Sequence, residues 1–156
     1  MKICVDTVIL IDVLKDENKP YHELLYSAMK TKEEIVIPVV VYAELMPQFK
    51  GDEGQVDLFL KAHRIKVENL DLKSVQTAAI AWMVYLKRKS KVICPKCGER
   101  LGVKEHFLSD FYIGGFAITR CDAILTRDRG IYRRYFSELK GYMNCLSLGE
   151  KVRKKR

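Results

Sequence analysis

The sequence predicts a three-layer α/β domain with a mainly parallel central sheet, and three observations support this fold class. Short apolar segments alternate with helical segments along the chain, as in α/β folds. The apolar segments lack the polar alternation of half-exposed strands, which indicates strands that are covered on both faces. The chain has 156 residues, 48% of them hydrophobic, which is enough for one ordinary core. We expect one domain over residues 1–148 and a short basic tail over residues 149–156.

Hydrophobic periodicity and local start signals place the elements in order. The predicted strands are residues 2–5, 35–37, 65–67, 123–126 and 142–146. The predicted helices run from Thr7 to Leu14, Pro20 to Met29, Pro38 to Leu45, Gly51 to His63, Leu72 to Lys89, Ser109 to Arg120 and Ile131 to Phe136. Asp6 or Thr7 can cap the first helix. Pro20 and Pro38 suit the first turn of a helix, and Ser109 can cap the sixth helix.

The long helix from Leu72 to Lys89 is predicted to be amphipathic and to bury one side. Its predicted apolar face consists of Val75, Ala78, Ala79, Trp82, Met83 and Leu86. Residues 90–107 follow as an irregular insertion between this helix and the next. The insertion contains a pair of cysteines, which is considered below.

Charge and hydropathy narrow the classes of partner. The chain has 28 Lys and Arg against 20 Asp and Glu, a formal charge of +8. A basic balance favours a polyanionic partner such as nucleic acid, although a basic surface can also serve solubility alone. The longest apolar run, Ile35 to Leu45, is too short to span a bilayer. Asp6 interrupts the apolar start of the chain, where a signal peptide needs apolar residues, so we expect a cytoplasmic protein.

Four acidic residues are predicted to meet at one edge of the sheet. Asp6 directly follows the first strand and Asp128 lies just past the fourth, so both belong at the carboxyl ends of strands, where such sheets have their functional crevice. Glu44 shares a helical face with apolar residues, and a carboxylate there needs a partner. Asp110 lies in the first turn of its helix, where the helix dipole helps to keep it ionised.

Such a group of carboxylates points to a metal-dependent chemistry. The four side chains would repel one another unless a cation lay between them. Oxygen ligands favour Mg²⁺ or Mn²⁺, and in a basic protein a phosphodiester is the natural substrate of such a site. Each acid also has a purely structural interpretation. Asp6 could be a helix cap, Asp110 a first-turn acid and Asp128 a turn residue, so the prediction depends on their joint occurrence.

Four segments of the chain resemble the four motifs of PIN domains. They are CVDTVILIDVLK, IPVVVYAEL, SDFYIGGFAI and CDAILTRDRGIY, which begin at residues 4, 37, 109 and 121. The resemblance is in particular to the VapC-type toxins of prokaryotic toxin–antitoxin pairs, and it covers nearly the whole chain. It implies a Mg²⁺- or Mn²⁺-dependent endoribonuclease that acts on RNA, forms a homodimer and is inhibited by a small antitoxin protein.

The resemblance also implies roles for individual residues. The metal-binding acids would be Asp6, Glu44, Asp110 and Asp128. Thr126 would supply the hydroxyl of the Thr-x-Asp motif, and Thr7 matches the hydroxyl residue that often follows the first acid.

Other charged residues near these motifs have weaker claims to a role in the site. Asp122 precedes its strand and is expected to be structural, and Asp12 is expected to face solvent. His22 and His63 are expected at the surface. A set of arginines flanks Asp128 and could bind phosphates or form a solvated face; it consists of Arg127, Arg129, Arg133 and Arg134.

The insertion departs from the pattern of the family. Cys94 and Cys97 stand in the segment CPKCG, which resembles one zinc knuckle. A closed zinc site needs four ligands, and only two are visible, although His106 or a second subunit could add to them. Three interpretations stay open: a structural zinc site, two free or oxidised cysteines in a surface loop, or a redox pair.

Two other functions compete with the nuclease. One is a PIN-like module that binds RNA or protein without cutting, against which the intact set of four acids argues. The other is a phospho-receiver domain, which shares the three-layer plan. A receiver needs paired acids after its first strand and an acceptor Asp after a central strand, and only Asp6 fits these requirements.

Overall fold

One parallel sheet organises the structure, a computed structural model that describes residues 1–89, 94–98, 107–136 and 144–145. Among these residues five strands pair in the order β3-β2-β1-β4-β5, and every pairing is parallel. The strands are β1 (Lys2–Val5), β2 (Glu34–Pro38), β3 (Ile65–Glu68), β4 (Ala123–Leu125) and β5 (Asn144–Cys145). The predicted α/β fold class is confirmed.

Helices connect the strands, as parallel pairing requires. They are α1 (Thr7–Leu14), α2 (Lys19–Lys30), α3 (Val39–Leu45), α4 (Glu53–Ala62), α5 (Leu72–Lys89), α6 (Leu108–Arg120) and α7 (Arg129–Tyr135), with a 3₁₀ turn at Met46–Phe49. Local signals fix several helix starts. Pro20 lies in the first turn of α2, and the Asp52 side chain caps α4 by accepting a hydrogen bond from the Gln55 amide. None of the helices in the described part of the chain is long and apolar enough to cross a membrane.

The strand order places a crevice at the middle of the sheet. From β1 the chain adds β2 and β3 on one side and then β4 and β5 on the other. The carboxyl ends of β1 and β4 therefore flank the point at which the order reverses, where open α/β sheets bind their ligands. A phospho-receiver domain has the order 2-1-3-4-5, so the topology excludes that alternative.

The core lies on both faces of the central strands. In β1, Cys4 is fully buried and pairs in register with Val36 of β2 and Ile124 of β4, which are also fully buried. The edge strand β3 departs from this pattern, because Lys66 and Val67 are exposed. The continuous apolar runs that predicted the strands therefore reflect cover on two sides.

The buried face of α5 differs from the predicted one. The structure buries Ser74, Ala78, Ala81 and Tyr85. The predicted face was wrong for Ala79, Met83 and Leu86, which are exposed. The small residues lie against α6, because helices approach closely where side chains are small. A hydrophobic pattern alone does not predict that small residues, rather than large apolar ones, lie at this contact.

A glycine sets the contact between α5 and α6. A Cβ added at Gly115 would lie 2.4 Å from the carbonyl oxygen of Ser74 and 2.9 Å from the amide nitrogen of Ala78. The hydroxyls of Ser74 and Thr119 are also 2.6 Å apart across the same interface. Close packing of the two helices therefore depends on the absence of a side chain at position 115.

Several other predictions need correction or lie outside the described residues. Phe107, not Ser109, is the N-cap of α6. His22 was expected at the surface but is 8% exposed. The described part of the last strand is Asn144–Cys145. The rest of predicted strand 142–146, His106, most of the insertion and the basic tail 149–156 lie outside the described residues.

We predict that Gly115→Ala lowers the free energy of unfolding by about 1–3 kcal/mol, since the new methyl group meets backbone atoms that cannot move independently. Urea unfolding of the purified variant measures this change. The matched control is Gly54→Ala on α4, where a Cβ would meet only the Asp52 side chain at 3.3 Å. The control should be neutral or stabilising, because Ala favours helix over Gly by about 1 kcal/mol. Equal effects at both positions would contradict the proposed packing.

Candidate active site

Asp6 lies at the crevice between the ends of β1 and β4. Its backbone amide donates a hydrogen bond of 3.0 Å to the carbonyl oxygen of Leu125, which joins the two strand ends. The side chain is 6% exposed. The hydroxyl of Thr126 donates to its Oδ2 at 2.6 Å. The Asp6 carboxylate is therefore held in place from the neighbouring strand.

The surroundings of Asp6 raise the pKa of its carboxyl group to about 6. Burial is the largest cause, because it disfavours the charged form. The negative charges of Asp110 and Glu44 raise the pKa further, while the hydrogen bond from Thr126 lowers it. Asp110 and Glu44 are thus near enough to Asp6 for their charges to act on it.

Glu44 reaches the site from α3, which begins directly after β2. It is half-buried, and the hydroxyl of Thr7 donates a short hydrogen bond to its Oε2. Thr7 is itself buried at the start of α1. The partner that the sequence required for this carboxylate is therefore a hydroxyl group from the residue next to Asp6.

Asp110 comes from the first turn of α6. Its Oδ2 accepts a hydrogen bond of 3.0 Å from the amide of Phe107, so the side chain also stabilises the start of the helix. This is the structural interpretation that the sequence left open. It coexists with the electrostatic action of Asp110 on Asp6, because a carboxylate has two oxygens and several acceptor positions.

Asp128 is linked to the site through Thr126. The Asp128 amide donates a hydrogen bond of 3.0 Å to the Thr126 hydroxyl, which in turn donates to Asp6. The Asp128 Oδ1 lies 3.5 Å from the position that a Cβ on Gly130 would take. The backbone of Asp128 is therefore tied to the site through Thr126. Its carboxylate lies near Gly130, in the first turn of α7.

These residues suit a hard divalent cation in type and charge. The side chains of Asp6, Glu44 and Asp110 offer oxygen atoms, which Mg²⁺ and Mn²⁺ prefer, and their mutual repulsion is what a cation would relieve. Within the described ranges, no three Asp, Glu, His or Cys side chains are close enough together to hold one ion. Metal ligation by the four acids accordingly stays a prediction.

Tyr132 belongs to the site and was missed in the sequence. It is 2% exposed, and its hydroxyl lies 3.4 Å from Oδ2 of Asp6. Burial and the negative charge of Asp6 raise the pKa of Tyr132 well above its usual range, so its hydroxyl stays protonated. The available signal was its place in the apolar face of α7, which also contains Ile131 and the nearby Phe136.

Asp12 was expected to face solvent, and this expectation was wrong. Its side chain is fully buried, and its Oδ2 lies 3.0 Å from Nε of Arg127. This ion pair joins α1 to the segment between Thr126 and Asp128. Arg127 therefore has a partner within the protein, whereas Arg133 and Arg134 are exposed. The side chain of Arg129 is not among the described parts of the structure.

Two other residues near the motifs have structural functions. Asp122 accepts a hydrogen bond of 2.7 Å from the Lys2 amide and donates its own amide to the Lys2 carbonyl, as expected for a structural residue. Gly114, which follows Asp110 on α6, leaves space that the ring of Phe136 fills. A Cβ at Gly114 would lie 2.5 Å from that ring. The space beside Gly114 is therefore occupied by the packed Phe136 ring.

We predict that Asp6→Asn stabilises the metal-free protein at pH 7 but not at pH 4. An acid whose pKa rises from 3.8 to about 6 on folding binds its proton more tightly in the folded state, so stability falls as pH rises through this range. The loss is about 2–3 kcal/mol at 1.4 kcal/mol per pK unit, and Asn removes it. Urea unfolding with a chelator at both pH values measures the effect. Asp16→Asn, at a side chain that is 78% exposed, is the control, and a pH-independent effect at position 6 would contradict the assignment.

Comparison with known proteins places this geometry in a family. Two solved structures share the fold: VapBC2 from Rickettsia felis bound to a DNA fragment from the promoter, and VapBC-1 from nontypeable Haemophilus influenzae. The first is 18% identical with a TM-score of 0.60, covering 86% of this chain and 93% of that chain. The second is 18% identical with a TM-score of 0.58, covering 92% and 96%.

A sequence comparison gives the family directly. No curated protein matches the chain. The sequence model of the PIN domain, in contrast, matches residues 3–137, a range that contains the sheet from β1 to β4 and all four acids. The chain therefore belongs to the PIN domain family.

Proposed function

We propose that the protein is a metal-dependent endoribonuclease that hydrolyses RNA phosphodiester bonds. The observation that carries the proposal is the buried Asp6 carboxylate at the reversal point of the sheet, with Glu44 and Asp110 raising its pKa. Membership of the PIN domain family and the net charge of +8 support a site that works on a polyanion. The proposal places the protein in the cytoplasm, where its substrate is.

The four acids would hold Mg²⁺ or Mn²⁺ in this site. Such an ion, when bound, polarises a phosphoryl oxygen, provides an activated water and offsets charge in the transition state. Thr126 orients the Asp6 carboxylate and favours its charged form through the bond of 2.6 Å. Thr7 holds Glu44 by donating a hydrogen bond to its carboxylate. The protein's own groups therefore keep two acids in place before any ligand arrives.

Exposed basic residues on the helix that follows Asp128 suit the phosphates of an RNA strand. Arg133 and Arg134 are exposed on α7, the helix that starts directly after Asp128. Contacts of this kind position a nucleic acid without reading its sequence. We therefore assign these two arginines to backbone binding and expect them to affect affinity more than the chemical step.

We predict that the protein cleaves single-stranded RNA with Mn²⁺ or Mg²⁺ and that Glu44→Gln or Asp6→Asn lowers the rate more than about 100-fold. A change in the outer shell of a metal site alone costs about 10–100-fold, and these changes remove proposed ligands. Cleavage of a fluorescent RNA measures the rate, and circular dichroism checks folding.

The matched controls are Glu53→Gln, at an exposed residue of α4, and Asp16→Asn. Both should keep the wild-type rate. Full activity in the site variants would refute the site, and RNA binding without cleavage by the wild type would favour the silent PIN-like module.

We further propose that the protein is the toxin of a type II toxin–antitoxin pair and that a small antitoxin protein inhibits it. Two of the solved structures that share its fold are VapBC complexes. The outer side of α5 carries an exposed apolar surface in the described part of the chain. This surface, the α5 stripe, consists of Leu72, Ala79, Met83 and Leu86.

We assign the α5 stripe to homodimerisation. Its residues follow helical spacing on the side opposite the buried Ser74, Ala78, Ala81 and Tyr85. Leu72 is 71% and Met83 55% exposed. A stripe of this kind on a helix is typical of a surface that packs against another helix.

We predict that Met83→Lys converts a dimer in solution to a monomer, since a charge in an apolar contact between subunits loses its hydration. Light scattering after gel filtration with a metal chelator present measures the mass. Leu58→Lys on α4 is the control, because Leu58 is 67% exposed but lies outside the stripe. A wild-type monomer, or a Met83→Lys dimer, would refute this assignment.

A further inference from the structure

The turn at Cys94–Gly98 brings two thiol groups together outside the acidic site. The Gly98 amide donates a hydrogen bond of 3.0 Å to the Cys94 carbonyl oxygen and closes the turn. Gly98 has a φ of +72°, a conformation that glycine adopts without strain. Cys94 and Cys97 are both free thiols, and Cys97 is exposed.

The backbone of this turn is arranged to stabilise a thiolate. The amides of Lys96 and Cys97 donate hydrogen bonds to the Cys94 sulfur, and the Cys97 side chain also donates to it. The two sulfur atoms are therefore neighbours, as two ligands of one ion must be. Deprotonated cysteine is the form that binds metal ions.

The other cysteines and histidines of the chain are placed elsewhere. Cys4 and Cys121 interact with each other near the start of β1, and Cys145 lies in β5. His22 is buried in α2, and His63 binds the Phe59 carbonyl oxygen through Nδ1. Apart from the turn, only His106 is left in the sequence.

One chain thus offers this turn at most three cysteine or histidine ligands, and a closed structural zinc site uses four. The described residues also contain no third Cys, His, Asp or Glu within reach of the pair. Two identical turns, in contrast, supply four thiolates, a set that selects Zn²⁺ among the common divalent ions.

We propose that Cys94 and Cys97 form half of a tetrahedral zinc site and that the same turn of a second chain completes it. The zinc ion links two copies of the protein through surface turns that are separate from Asp6 and its neighbours. This proposal does not rest on ribonuclease activity. It therefore succeeds or fails independently of the proposed function.

The test uses the full chain, reduced and then loaded with Zn²⁺ and freed of excess metal by gel filtration. Elemental analysis should give about one zinc per two chains, the ratio that four ligands from two turns require. Native mass spectrometry of the Met83→Lys variant, which lacks the proposed α5 contact, should show two chains with one zinc. Loading with Co²⁺ instead should give the strong near-ultraviolet charge-transfer bands of four thiolates on one ion.

Cys97→Ser and Cys94→Ser should each reduce bound zinc to background, while Cys121→Ser, the matched control, keeps the wild-type amount. Circular dichroism checks that each variant is folded, and the Co²⁺ spectrum of the wild type tests the ligand set without any substitution. One zinc per chain, uptake that Cys97→Ser does not change, or no uptake by the reduced protein would overturn the proposal.

Discussion

Burial of the Asp6 carboxylate between the ends of β1 and β4 is the constraint on which the site depends. A charged group with 6% exposure is costly unless hydrogen bonds or a counter-charge offset the lost hydration. The bond from Thr126 offsets part of this cost, and two nearby acids add to it. Such an arrangement lowers stability, which is characteristic of sites kept for function rather than for folding.

Local sequence patterns were enough to predict the sheet. They were also enough to predict where Asp6, Glu44 and Asp110 lie along the strands and helices. A strand covered on both faces must be apolar throughout, so its ends are visible as the first polar residues, and parallel pairing brings those ends to one edge. Asp6 and Thr126 are such residues. Glu44 was identifiable because a carboxylate on an apolar helical face needs a partner, which is Thr7.

Features that depend on how two elements approach one another could not be predicted in this way. On α5 the buried residues are small, since Gly115 brings α6 against its backbone. Asp12 is buried because Arg127, distant in sequence, extends toward α1. Tyr132 joins the site because its hydroxyl reaches Asp6, which directly follows β1. In each case the contacting residue lies more than 30 positions away in the sequence. A helical or strand periodicity covers only neighbouring residues and cannot reveal such a contact.

The pairing of Arg127 with Asp12 gives a partner to the cation that lies between Thr126 and Asp128 in the sequence. Arg127 stands between Thr126 and Asp128 and is the cation nearest to them in sequence. Paired with the acids, it would neutralise the charge that raises the pKa of Asp6. Its Nε instead lies 3.0 Å from the buried Asp12, where the two charges compensate each other. The ion pair therefore anchors the segment that carries Thr126 to α1, and it supplies the counter-charge of the buried Asp12.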